Sequence, residues 1–102
     1  MRITDRSAKL DKAIIAAADV NNQVDTPQYL YVIEEMSELT KELIKIQRGK
    51  GDTSKVIDEA CDVLLTVMTM LFQYGAHTSD IIDAIVFKSN RAVERLAELT
   101  EA

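Results

Sequence analysis

Scarcity of turn-forming residues constrains this chain more than any other feature of its sequence. Its 102 residues include three glycines and one proline. A sheet needs a turn after each short strand, and glycine and proline form many of those turns. The sequence therefore predicts an all-α fold made of a few long helices. Its length predicts a single domain over residues 1–102.

Apolar residues recur at helical spacing in four segments that are separated by turn signals. The predicted helices cover about residues 4–20, 27–48, 53–75 and 78–99. Thr26 is the predicted N-cap of the second helix, with Pro27 in its first position. One of residues 52–54 caps the third helix, and Thr78 or Ser79 caps the fourth. Short loops join the last three helices, which are therefore predicted to be antiparallel neighbours.

Charge and composition exclude several classes of protein. The net charge of −5 and the pI of about 4.8 are unfavourable for binding a nucleic-acid polymer. No apolar run reaches the roughly 18 residues that span a bilayer, so no membrane partner is expected. Cys61 is the only cysteine; it is predicted to be a small buried group and excludes an internal disulfide. With a charged N-terminus that lacks a signal-peptide core, the sequence predicts a cytoplasmic protein.

Two pairs of carboxylates are the strongest functional signal. Glu35 and Glu38 lie three residues apart on helix two, and Glu59 and Asp62 repeat this spacing on helix three. Each pair falls on one helix flank, and Asp62 sits in an otherwise apolar stretch. A carboxylate at the edge of a core must be paired, protonated or bound to a metal. Antiparallel packing lets the two pairs converge into an oxygen site that suits Mg²⁺.

In the alternative interpretation, these residues are solvated acids in ordinary surface ion pairs. Glu38 would then pair with Lys41, and Glu42 with Lys45. Against it, Glu34, Glu38 and Glu42 form a series of like charges four residues apart. Each such pair costs a few tenths of a kcal/mol unless a positive charge lies among them.

A basic stripe on helix four suits a phosphorylated ligand. Lys88, Arg91 and Arg95 follow the i, i+3, i+7 spacing of one helical face. Cations beside an acidic metal site would contact the outer oxygens of a triphosphate. In the alternative interpretation, the stripe pairs with Glu94 and Glu98 on the same helix.

The acidic motifs resemble those of a known superfamily. Residues 34–38 read Glu-Glu-Met-Ser-Glu and residues 59–62 read Glu-Ala-Cys-Asp. This order resembles the ExxE and ExxD signature of the MazG-like, all-α nucleoside triphosphate pyrophosphohydrolases. The resemblance covers about residues 26–99. It implies a four-helix, MazG-like antiparallel bundle that is completed by oligomerisation.

The resemblance also implies roles for individual residues. The implied metal ligands are Glu35, Glu38, Glu59 and Asp62. Glu34 and Glu38 are the implied catalytic residues, Glu34 by ligating the ion or by orienting a metal-bound water. Gln28 matches a glutamine often found ahead of the ExxE motif and is an implied nucleoside contact. The cofactor would be Mg²⁺, with Mn²⁺ as a substitute.

The implied reaction converts a nucleoside triphosphate, ribo or deoxy, and water into the monophosphate and pyrophosphate. Within the same class, phosphoribosyl-ATP is an alternative substrate. A hypothesis from another class is a non-catalytic helical adaptor that keeps the fold and forms oligomers. A di-iron bundle is disfavoured, because that design needs Glu-x-x-His on two helices and the sequence has no such motif.

The apolar character of helix three predicts that the chain forms oligomers. It is apolar nearly all round from residue 61 to residue 72. A helix of this kind is buried on several sides, and a short chain offers few helices to cover it. We therefore expect a homodimer or a tetramer. The fourth-helix cations would then reach the metal site of a partner subunit.

Overall fold

Four α-helices and no strands make up the described part of the chain. The computed structural model describes the backbone of residues 3–101 and the side chains of residues 6–101. The helices are α1 (Ile3–Asn21), α2 (Gln28–Gln47), α3 (Thr53–Gln73) and α4 (Thr78–Glu101). The all-helical prediction is confirmed, and each predicted helix is present. None of these four helices is long and apolar enough to cross a bilayer.

Glycines end α2 and α3, as the sequence predicts. Gly49 has a φ of 75°, a backbone conformation that residues with a Cβ rarely adopt. It allows the N–H of Lys50 to donate to the carbonyl of Lys45 at 3.0 Å, which closes the end of α2. Gly75, with a φ of 100°, ends α3 in the same way. Both turns satisfy carbonyls that a helix end otherwise leaves open.

The helix starts differ from the predictions by one residue in two cases. Asp52 caps α3, as one of the predicted residues, by accepting the N–H of Ser54 at 2.9 Å. At α2 the N-cap is Pro27 and not Thr26, because the ψ of Pro27 is 141° and its backbone is still extended. At α4 the helix begins at Thr78 itself, so neither Thr78 nor Ser79 is the cap. The N–H of the preceding His77 is satisfied by Asp80 Oδ2 at 2.9 Å.

The helices α2 and α3 form an antiparallel pair, with α1 packed on α3. The Gln28 side chain at the start of α2 contacts Thr66 late in α3, whereas residues 48–52 join the opposite ends. On the α1 side, Gln73 Nε2 donates to Asn22 Oδ1 at 3.1 Å. Within the described residues, the buried apolar side chains are Ile14, Ala18 and Val32. The core of a single chain is therefore small.

The position of α4 differs from the prediction that α2, α3 and α4 are antiparallel neighbours. That prediction holds for α2 and α3, but α4 makes few close contacts with the rest of the chain. An apolar cleft of about 460 Å³ separates it from α3. The radius of gyration is 16.8 Å, whereas a compact domain of this length has about 13 Å. A short loop fixes where α4 starts but does not make it pack along α3.

Candidate metal centre

The face of α2 that packs on α3 contains glutamates as well as apolar residues. Val32 is buried, Glu35 is half-buried, and the side chain of Glu42 is 14% exposed. On the opposite face, Ile33 and Met36 are 56% and 51% exposed. A helix on the surface of a globular protein normally shows the reverse arrangement. The sequence of α2 therefore turns acids toward its neighbour and leaves apolar side chains outside.

Three carboxylates meet across the seam between α2 and α3. One oxygen each from Glu35, Glu59 and Asp62 lies within 4.8 Å of the other two. Glu35 and Glu59 are half-buried and Asp62 is exposed. Three of the four predicted metal ligands are thus brought together by the predicted geometry, an antiparallel pair with matched three-residue spacings. We refer to these three residues as the acidic cluster.

Crowding raises the proton affinity of two members of the acidic cluster. The pKa of Glu35 is raised, first by desolvation and then by the negative charges of Asp62 and Glu59. The pKa of Glu59 is also raised, first by desolvation and then by Asp62 and Asp58. These are the directions expected for acids that are packed together without a neutralising cation. A bound cation would remove this repulsion.

The donor set of the acidic cluster fits a hard divalent cation. All three donors are carboxylate oxygens, which Mg²⁺, Mn²⁺ and Ca²⁺ prefer. Two oxygens bound to one Mg²⁺ lie about 3–4 Å apart. The three oxygens, which lie within 4.8 Å of one another, would have to move closer to share one ion, and the exposed side chain of Asp62 has room to do so. Three protein ligands leave further positions of an octahedral ion for water and phosphate.

Glu38, the fourth predicted ligand, lies outside the acidic cluster. Its Oε1 accepts from Lys41 Nζ at 3.2 Å, and its side chain is 47% exposed. This is the surface ion pair that the alternative interpretation predicts. Its charge nevertheless raises the pKa of both Glu35 and Glu59, so Glu38 is close to the cluster. Glu34, the predicted water-orienting residue, is exposed, and its charge also raises the pKa of Glu35.

Glu42 is a feature of the seam that the sequence reading missed. It pairs with Lys45, as the alternative interpretation predicts, with Lys45 Nζ 3.1 Å from Glu42 Oε1. Its second oxygen, Oε2, is buried and has no hydrogen-bond partner among the described residues. Its charge contributes to the raised pKa of Glu59. The available signal was the spacing, since residue 42 follows Glu35 by seven and lies on the same face.

Gln28 is buried and links three helices. Its Oε1 accepts from Asn21 Nδ2 at 2.6 Å, and its Nε2 donates to the Thr66 carbonyl at 3.3 Å. Both ends of the amide are therefore engaged within the chain. A nucleoside contact by this residue stays a prediction.

The basic stripe of α4 stands apart from the acidic cluster in a single chain. Lys88, Arg91 and Arg95 line one hollow of about 190 Å³ on the helix surface. The Arg91 guanidinium lies 5.8 Å from the centre of the Phe87 ring. Among the side chains of residues 6–101, no ion pair joins the stripe to acids of α4 or to the acidic cluster. The three cations lie on one face of α4, as predicted, without an ion pair among these residues.

Comparisons of the chain with protein-family models, with curated proteins and with solved structures gave no match. The resemblance to the MazG-like superfamily therefore rests on the two acidic motifs and their spacing. Membership of that superfamily stays a prediction.

Proposed function

We propose that this protein is a nucleoside triphosphate pyrophosphohydrolase that depends on a divalent cation. It converts a ribo- or deoxynucleoside triphosphate and water into the monophosphate and pyrophosphate. The observation that supports this most directly is the acidic cluster of Glu35, Glu59 and Asp62 across one helix seam. The cation we propose is Mg²⁺, with Mn²⁺ as a substitute.

Different side chains would bind the cation and orient the attacking water. Glu35, Glu59 and Asp62 would hold the ion, which would supply Lewis acidity and activate water for attack. Glu38 would be a fourth ligand once released from Lys41, a small cost because exposed ion pairs are weak. Glu34, exposed beside Glu35, accepts a hydrogen bond from the attacking water and orients it.

Substrate phosphates need cations besides Lys41 and Lys45, which pair with Glu38 and Glu42. We propose that Lys88, Arg91 and Arg95 bind the outer phosphate oxygens. Because no ion pair joins the stripe to the acidic cluster within the described residues of one chain, we propose that the stripe of a neighbouring copy serves each site. The active form is therefore a homo-oligomer, a dimer or a tetramer.

The first experiment is pyrophosphate release. The protein is incubated with a panel of nucleoside triphosphates, deoxynucleoside triphosphates and phosphoribosyl-ATP, with Mg²⁺ or Mn²⁺, and released pyrophosphate is quantified. We expect turnover of at least one substrate and its complete loss with EDTA. Turnover that survives EDTA would contradict the metal assignment. Turnover of phosphoribosyl-ATP alone would identify the alternative substrate.

A second candidate is a non-catalytic oligomeric adaptor. The extensive exposed apolar surface of α2, α3 and α4 favours it, because such surfaces mark protein–protein contacts. The same panel separates the two candidates. An oligomer that releases no pyrophosphate from any substrate with either metal is the result that the adaptor predicts.

A further inference from the structure

The outer face of α3 carries an uncovered apolar line. Ile57 and Leu64 are 64% and 60% exposed, and Cys61 between them is also exposed. Their spacing of four and three residues places them on one face of the helix. The prediction that Cys61 is buried is therefore wrong for a single chain. This line continues into Met68, which borders the cleft between α3 and α4.

The helix α4 carries a second uncovered apolar line. Ile82 and Ile85 are 46% and 60% exposed, and Val93 and Leu96 further along the same face are 64% and 63% exposed. The basic stripe and the acids of α4 lie on its other faces. An apolar face of this length on a lone helix is unfavourable in water.

The cleft joins the two lines. Its lining is almost wholly apolar, and the charged residues among its lining are Asp80 and Lys88. Leu64 and Leu71 form part of the α3 wall, and Ile85 forms part of the α4 wall. Each chain therefore has an apolar cleft and, in the uncovered half of α4, an apolar helix ridge.

The excess area that a single chain exposes is large enough for the interface of a stable dimer. The chain exposes 7995 Å², whereas a compact folded monomer of 11.4 kDa exposes about 5,800 Å². The excess is about 2,200 Å² per chain, or roughly 4,400 Å² for two copies. Obligate homodimers bury about 2,000–5,000 Å² in total.

We propose that the second copy of this chain covers this surface with the same surface of its own. The surface, which we call the α3–α4 face, is defined by Ile57, Cys61, Leu64, Ile85, Val93 and Leu96. A twofold axis suits it, because each copy offers both a cleft and the ridge that fills one. Neither apolar line contains a charged residue, and the two charged residues that border the cleft, Asp80 and Lys88, have opposite signs. This inference rests on the proposed self-association and names the face that mediates it.

Two measurements on the unaltered protein test the proposal. Sedimentation at micromolar concentration should give twice the mass of 11.4 kDa, or a multiple of it. Cys61 is the only cysteine, so a thiol reagent reports on this face alone. We expect it to react at least about tenfold more slowly in the native protein than in urea. A monomer, or an oligomer whose thiol reacts as fast as in urea, would overturn the proposal.

A pair of variants localises the contact. Leu64→Glu places a charge in the face and should give a helical monomer with a fast thiol reaction. Val24→Glu makes the same change at a residue that is 50% exposed in the loop before α2, and should keep both the mass and the slow reaction. An assembly that Leu64→Glu leaves unchanged would exclude the α3–α4 face. Pyrophosphate release is not a readout here, so a failure of the proposed hydrolysis leaves this test intact.

Discussion

The seam between α2 and α3 and the helix α4 are opposite in character. The seam gathers acids, and desolvation together with the negative charges of Asp62 and Glu59 raises the pKa of Glu35. The helix α4 gathers cations that no acid of the described residues neutralises, beside an apolar face that a single chain leaves uncovered. Each region lacks what the other supplies. Under the proposed function, the two regions would meet only between copies of the chain.

The largest expected effect comes from removing one carboxylate of the acidic cluster. Asp62→Asn removes one negative ligand from the acidic cluster, and pyrophosphate release should fall by at least about 100-fold while the helical circular dichroism is unchanged. Asp19→Asn is the matched control, because Asp19 is an exposed aspartate on α1 that lies outside the cluster. Full activity of Asp62→Asn would disprove the ligand assignment.

Binding of Mg²⁺ should stabilise the seam in a pH-dependent way. The pKa values of Glu35 and Glu59 are raised in the folded protein, so the metal-free fold loses stability as pH rises from their ordinary value of 4.5. At pH 7.5 and ten times its dissociation constant, Mg²⁺ should stabilise by about 1.4 kcal/mol. Thermal unfolding should show this gain at pH 7.5 and its loss below about pH 4.5, where the acids are protonated. Equal gains at both pH values would contradict the site.

Removing a cation from α4 should weaken substrate binding more than chemistry. Arg91→Gln is expected to raise KM about tenfold with a smaller change in kcat, because a charge-assisted bond to phosphate is lost. Steady-state kinetics on the best substrate of the panel measures both constants. Arg6→Gln on α1 serves as the control for a lost surface charge. Identical kinetics of the two variants would show that Arg91 does not contribute to substrate binding.

The smallest expected effect concerns Glu42. Glu42→Gln removes a charge from a carboxylate whose Oε2 is buried without a partner, which lessens the repulsion felt by Glu59. The metal-free protein should become slightly more stable, and the affinity for Mg²⁺ should fall about threefold. Isothermal titration with Mg²⁺ and thermal unfolding without it measure the two effects. Glu94→Gln on α4 should change neither, and an unchanged Mg²⁺ affinity in Glu42→Gln would separate Glu42 from the site.

The sequence predicted the seam well because local rules determine it. Three-residue spacing fixes a helix flank, and the Gly49 turn brings α2 back along α3, so the meeting of Glu35 with Asp62 followed from pattern alone. Glu42 was not predicted as a site residue because an ion pair with Lys45 accounts for its charge. That pair, however, engages only one of its two carboxylate oxygens.

The position of α4 could not be predicted from periodicity. An apolar stripe indicates that a helix will be covered but not by which surface. Here α1 and α2 already occupy two sides of α3, and the remaining side, with Leu64, is left facing the cleft. The one-residue error at Pro27 has a different cause: proline fixes φ but leaves ψ free, so the residue can precede a helix as readily as begin it.

The buried amide of Gln28 has a mechanical consequence for the seam. Interlocking side chains normally stop one helix from sliding along another, but this contact includes carboxylates that repel each other. A slip of one helical turn, about 5.4 Å, would break the bond from Gln28 to Thr66 and pull Glu35 away from Asp62. The bond from Gln28 to Thr66 therefore favours the one offset of the two helices at which their acids face each other.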